Sequence, residues 1–148
     1  MTKSNNIAQD KVKIRGVIDG LILALHAKNA DAMTRHYVED VVQFSLAPPL
    51  VSDAANAAGL NAWFATWQGP IDCEAHDLNV FVGGDTAFCH YLNHMRGTKT
   101  DGEKVDLWYR QTLGFARHAD TWKIVHEHES VPFYMDGSYR AAVDLKPQ

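Results

Sequence analysis

The chain has 148 residues, 46% of them hydrophobic, and a formal net charge of −4 with histidine neutral. That length fits one domain, which buries enough surface to fold without disulfide or metal staples. No basic stripe suggests nucleic acid as a partner, and no apolar run approaches the roughly 18 residues of a membrane span.

Residues 1–6 are polar and are expected to fray. The segment MTKSNNIAQDK lacks the apolar core of a secretory leader. Cys73 and Cys89 have neither metal nor redox spacing, so reduced thiols in a cytoplasmic protein are expected. From about Ile7 to Lys28, Val12, Ile14, Val17, Ile18, Leu21, Ile22 and Leu25 recur at spacings that predict an amphipathic helix. Gly16 and Gly20 interrupt it, as if another backbone approached closely. Asn29 suits a left-handed C-cap, and Asp31 suits the N-cap of a short helix from Ala32 to His36 or Tyr37. Val38–Leu46 reads as a strand, with Asp40, Val42, Phe44 and Leu46 on one face and Val41, Gln43 and Ser45 on the other. Pro48 and Pro49 close it. GLNAWFATW (Gly59–Trp67) predicts a third helix, with Leu60, Trp63, Phe64 and Trp67 on one side and Gly69-Pro70 as its stop.

After residue 69 the period changes to two. Ile71–Val82, Thr86–Thr98, Val105–Arg117 and Thr121–Phe133 read as strands. Gly83-Gly84-Asp85, Asp101-Gly102 and His118-Ala119-Asp120 are the turns. Four antiparallel strands in a meander follow, and helices before hairpin-linked strands give an α+β class. The tail after Phe133 is expected to be irregular or to lie along a neighbouring subunit.

In the last strand, TWKIVHEHESVPF, alternation puts Trp122, Ile124, His126, His128 and Ser130 on one face and Glu127 and Glu129 on the other. Aromatic and aliphatic anchors would then lead into two imidazoles lining a cavity. The competing reading is an edge strand whose histidines face water. On the preceding strand, Trp108, Arg110 and Thr112 share a face and stand beside Ile124, His126 and His128. A buried arginine needs a partner. That partner is either a ligand carboxylate held bidentately or a protein acid such as Asp40, Asp106 or Glu127. An exposed apolar face carrying Tyr91, Leu107, Tyr109 and Leu113 would predict a homodimer.

These residues support a resemblance. NADAMTRHYVEDVVQF, and above all DLWYRQTLGFARHADTWKIVHEHESVPF, make the chain similar to the nuclear transport factor 2 (NTF2)-like superfamily, in its SnoaL-like and ketosteroid-isomerase-like branch. The likeness covers roughly Ala8–Phe133 and implies a single SnoaL-like domain over residues 1–148. The implied fold is a cone-like NTF2 (cystatin-like) α+β fold. Three N-terminal helices pack on a strongly curved antiparallel sheet around an apolar pocket, and a dimer is built on the sheets. In the ketosteroid-isomerase-like branch a carboxylate base comes from the first strand, just before a proline. Here QFSLAPPL places Ser45 and Ala47 there, so that base is missing.

The expected site therefore has His126, His128 and Arg110 as acid–base and oxyanion groups. Trp108, Thr112, Phe44, Trp63, His90 and Ser130 would contact the ligand. An H-x-H pair with His90 or His94 suits a divalent metal, but no nearby carboxylate completes such a set, so neither metal nor cofactor is expected. Ser130 and His128 stand about 7 Å apart as same-face neighbours, too far for a nucleophile–base pair. The expected function is binding of a small apolar molecule with an anionic or enolisable group. Isomerase, cyclase or dehydratase chemistry is one version, and a non-catalytic ligand-binding or dimerisation module is the alternative.

Overall fold

Apolar residues three and four apart wind the start of the chain into a helix. The computed structural model describes residues 3–148, and in it helix α1 spans Lys3–His26. The fraying expected of residues 1 and 2 lies outside the described residues. Ile14, Ile18, Leu21 and Leu25 are buried along one stripe of α1, and Asp10 continues it. The helix ends with Lys28 in the left-handed region, φ 51°. Lys28 N–H donates to the Leu25 carbonyl and Asn29 N–H to the Ala24 carbonyl, a Schellman closure. Asn29 is thus not the left-handed residue. It caps α2 (Ala30–Thr34), its side chain accepting from the Ala32 amide at 2.9 Å, in the place expected of Asp31.

Strand β1 is Tyr37–Phe44, and α3 is Ala57–Phe64, capped by Asn56. The third helix stops before Trp67, which opens β2 (Trp67–Gly83). Gly69, at φ 78°, and Pro70 distort the start of that strand rather than ending a helix. Strands β3 (Thr86–Lys99), β4 (Lys104–His118) and β5 (Thr121–Ser130) follow. The last is shorter than the Thr121–Phe133 expected.

The sheet order is β1-β5-β4-β3-β2. From β2 to β5 it is the antiparallel meander the turns predict. Strand β1, however, pairs with β5 in parallel, so the sheet is mixed. No tight turn joins these two strands, and the long crossover between them permits a parallel pair.

Helix α1 covers one face of the sheet, here the inner face. At one end of that face Ile14, Ile18, Val41, Leu113, Phe115 and Ile124 pack together. At the other end Leu25, Phe64, Trp67, Ile71 and Met95 do so. Tyr91, Tyr109 and Leu113 are buried on this inner face and Leu107 packs against it. They are not the exposed dimer face expected of them, because the parity of β3 and β4 turns these odd-numbered residues toward the helices.

Arg117 ties α1 to the sheet. It donates to both carboxylate oxygens of Asp10, at 2.9 and 2.8 Å, and lies over the Trp122 ring at 4.4 Å. The tail is irregular, as expected, but folds back on its own chain. Phe133 bridges Ala141, Ala142 is buried, and Lys146 and Pro147 come to rest beside His76, His94 and Trp108.

Candidate functional site

One residue decides which side chains of β5 face inward. Gly114 of β4 pairs with His126, but Phe115 pairs with Ile124, so Val125 is an extra residue, a β-bulge. An inserted residue reverses the alternation. Trp122 and Ile124 are buried on the inner face before the bulge, and Glu127 takes that face after it. His126 and His128 are turned to the outer face. The expected sharing of a face by Trp122, Ile124, His126 and His128 is corrected accordingly.

The outer face gathers most of the residues the sequence singles out. Phe44 stands edge-on to His126 and His128, with ring centroids 4.9 and 5.3 Å away. His126 Nδ1 is 2.8 Å from the Val42 carbonyl. Arg110 donates from Nε to Ser130 Oγ at 3.0 Å, rather than to Asp40, Asp106 or Glu127. Thr112 pairs with His128 on one side and His90 on the other. His90, Arg110, Thr112 and His128 are all exposed. Trp108 lies further along the same face, stacked on His94. Trp63 is elsewhere, on α3, packed edge-on against Trp67. These residues form an exterior patch, not the floor of an enclosed cavity. The two surface depressions of about 370 and 350 Å³ also lie outside, one beside Trp108 and one beside Phe81 and Phe88.

The inner face carries a different set. Between the two apolar clusters runs a polar belt across β3, β4, β5 and β1. Glu127, 5% exposed, accepts from Tyr37 Oη at 2.7 Å, Gln43 Nε2 at 3.1 Å and Gln111 Nε2 at 3.1 Å. Gln111 Nε2 also lies 3.5 Å from Glu129 Oε1. Asn93 donates to Tyr109 Oη at 2.8 Å and to Gln111 Oε1 at 3.1 Å. Its own Oδ1 is buried without a partner.

Burial pushes the Glu127 carboxyl above its ordinary range, while the donors from Tyr37, Gln43 and Gln111 oppose the shift. Burial, and then the charge of Glu127, push Glu129 up to about 8, against the Leu46 amide. Two close carboxylates in a poorly solvated place do not both ionise. Three donors favour the negative charge on Glu127, whereas burial and that neighbouring charge disfavour ionisation of Glu129. Burial raises Tyr37, Tyr91 and Tyr109 well above the usual phenol value, so they stay hydrogen-bond donors. A carboxylate beside a carboxylic acid and three phenols is equipped to take a proton from one atom and give one to another.

Glu127 and Glu129 do lie opposite the histidines, as alternation predicts, but theirs is the inner face. The available signal was Gly114, since a glycine inside a strand often marks a bulge.

The SnoaL-like domain matches residues 14–134 of this chain. The chain belongs to the SnoaL-like family. Among solved structures, this SnoaL-like chain resembles an NTF2-like protein of unknown function from Pseudomonas putida. The two are 28% identical, over 95% of this chain and 98% of the other, with a TM-score of 0.83. A Streptomyces avermitilis protein of the NTF2-like family, provisionally named a dehydratase, is 17% identical. That match covers 83% of this chain and 96% of the other, with a TM-score of 0.72. An NTF2-like protein with a cystatin-like fold from Novosphingobium aromaticivorans is 18% identical. It covers 97% of this chain and 94% of the other, with a TM-score of 0.69. No curated protein sequence matches at a significant level. Among the described residues, no helix of this SnoaL-like domain is long and apolar enough to cross a membrane.

Proposed function

We propose that the protein binds a small, largely apolar molecule against the inner face of its sheet and performs acid–base chemistry there with Glu127 and Glu129. The reaction type is that of a cofactor-independent isomerase, cyclase or dehydratase. The observation that carries this reading is the paired carboxyls on the inner face, with three donors on Glu127, one of them shared at longer range with Glu129. In this reading Glu127 removes a proton next to a carbonyl. Protonated Glu129, with Tyr91 or Tyr109, donates to the oxygen that becomes an enolate. Asn93 Oδ1 offers an acceptor for a ligand hydroxyl. The carboxylate missing from the first strand is supplied from the last. The provisional dehydratase name of the Streptomyces relative points to the same kind of chemistry.

The test is deuterium uptake α to the carbonyl of 2-tetralone in D2O, followed by NMR. The wild-type protein should accelerate uptake, and Glu127→Gln should lose at least about 100-fold of that rate. His126→Ala and Arg110→Ala should retain it. Loss of exchange in His126→Ala, with Glu127→Gln unaffected, would move the chemistry to the outer face. A non-catalytic ligand-binding or dimerisation module is the second reading, and the outer position of both depressions favours it. We also propose a homodimer, through the outer face rather than the inner one. Phe44, Phe81 and Phe88 are 37%, 48% and 47% exposed there.

A further inference from the structure

A second cluster of chemically able side chains lies on the outer face, away from Glu127 and Glu129. Glu74 of β2 and His94 of β3 are cross-strand partners, and His76 follows two residues along β2. One ligand atom from each of the three lies within 4.8 Å of the others. His94 Nε2 is 2.6 Å from Asp106 Oδ1, and its ring stacks on Trp108 with centroids 4.1 Å apart. His76, His94, Asp106 and Trp108, with Asp77, Lys146 and Pro147, line a depression of about 370 Å³, and Glu74 stands beside its two histidines.

We propose that Glu74, His76 and His94 form a binding site for a divalent transition-metal ion such as Zn2+, Ni2+ or Cu2+. Two imidazoles and a carboxylate are the donor set that such ions prefer. Donor atoms around a bound ion sit roughly 3.3 Å apart, given metal–ligand bonds of about 2.0–2.2 Å. The widest pair must therefore close by up to about 1.5 Å. His76 and Glu74, with side chains 42% and 52% exposed, are free to rotate that far. His94 is fixed instead, by Trp108 and by Asp106. A carboxylate on one nitrogen of an imidazole orients the ring and leaves the other for the metal.

Both oxygens of Glu74 are engaged, one of them only by its fellow ligand His76. Arg96 Nη2 donates to its Oε1 at 2.6 Å, while its Oε2 faces His76 Nε2 at 3.2 Å. Three acids, Glu74, Asp77 and Asp106, stand against Arg96 and Lys146, so the local charge favours a cation. The tail residues Lys146 and Pro147 border the depression.

The test is calorimetric titration of the untagged, chelator-treated full chain with ZnCl2, and tryptophan fluorescence during titration with CuCl2. One equivalent should bind per chain. His76→Ala and Glu74→Gln should each weaken binding by about tenfold or more with unchanged circular dichroism. The His126→Ala/His128→Ala double variant should bind as wild type. Trp108→Phe should keep binding and lose most of the Cu2+ quenching, because Trp108 is the indole stacked on His94. No saturable binding up to on the order of 100 μM Zn2+ would overturn the proposal. So would binding that survives both His76→Ala and Glu74→Gln, or binding that disappears in the His126/His128 double variant.

Discussion

Glu129 and Glu127 differ in what donates to them. Glu127 accepts from Tyr37, Gln43 and Gln111, while Glu129 faces the charge of Glu127 with little help. The folded chain therefore keeps a proton on Glu129 between about pH 4.5 and about 8, where the unfolded chain has released it. Folding then becomes less favourable as pH rises through that window. Glu129→Gln removes the penalty. The variant should match wild type near pH 4 and exceed its stability at pH 9 by roughly 2 kcal/mol, allowing for solvent that still reaches the residue. Urea denaturation at the two pH values checks this. Asp10 shows the opposite sign. Its hydrogen bonds from Arg117 hold its carboxyl below the ordinary value, and burial only partly opposes them. That contribution is present above about pH 4 and is lost as pH falls through the lowered folded value. Wild type should lose this stability in acid, and Asp10→Asn should show no such loss. The thiols of Cys73 and Cys89, buried and pushed up to about 12, are poor nucleophiles near neutral pH.

Elements carry the next level of constraint, and the glycines divide accordingly. At Gly16 a Cβ would meet nothing within 4 Å, whereas at Gly20 it would come 2.8 Å from His36 Nε2. The close backbone approach expected at both glycines of α1 is found at neither: Gly16 is open, and at Gly20 the neighbour is the His36 side chain. Gly16→Ala should stabilise the exposed helix face by about 0.5–1 kcal/mol, and at Gly20 the displaced imidazole should offset the same gain. On β3, a Cβ at Gly97 would lie 2.8 Å from the buried Trp67 ring. Gly97→Ala should cost about 1–3 kcal/mol in a denaturation series. Strand β5 shows where sequence reading of elements fails. Its existence and the turn before it were legible from period and punctuation; its end at Ser130, short of the expected Phe133, was not. Its inward face was not, because period-two counting assumes an unbroken ladder and the extra residue at Val125 inverts it. The β4 face, with Trp108, Arg110 and Thr112 together, was legible, but which side of the sheet the helices would cover was not. For the same kind of reason Trp67 read as helix: its apolar spacing matched Leu60, Trp63 and Phe64, although the strand begins there.

The whole molecule is a sheet with two differently equipped faces. Its order of helices and hairpins was readable from period and turn residues, and its likeness to the SnoaL-like family from the motifs NADAMTRHYVEDVVQF and those of the last two strands. The parallel pairing of β1 with β5 was not, since no local signal marks a long-range partner. The outer face carries the exposed Phe81–Phe88 stack, with centroids 4.8 Å apart. An apolar patch of this kind favours association. Light scattering at tens of micromolar should report a dimer, and Phe81→Asp/Phe88→Asp should shift it to monomer without loss of helix or sheet signal. A dimer that survives that change would place the contact elsewhere. On the other face, the proposed acid–base site requires Glu129 to hold a proton beside ionised Glu127 near neutral pH. Carbon-detected NMR titration of the protein with labelled glutamate side chains reads this directly. One carboxyl should titrate near 8, and Glu127→Gln should bring it down, because the charge of Glu127 helps to hold it there. If every glutamate titrates between about pH 4 and 5, as in unperturbed peptides, no shared proton exists and the inner face is not an acid–base site.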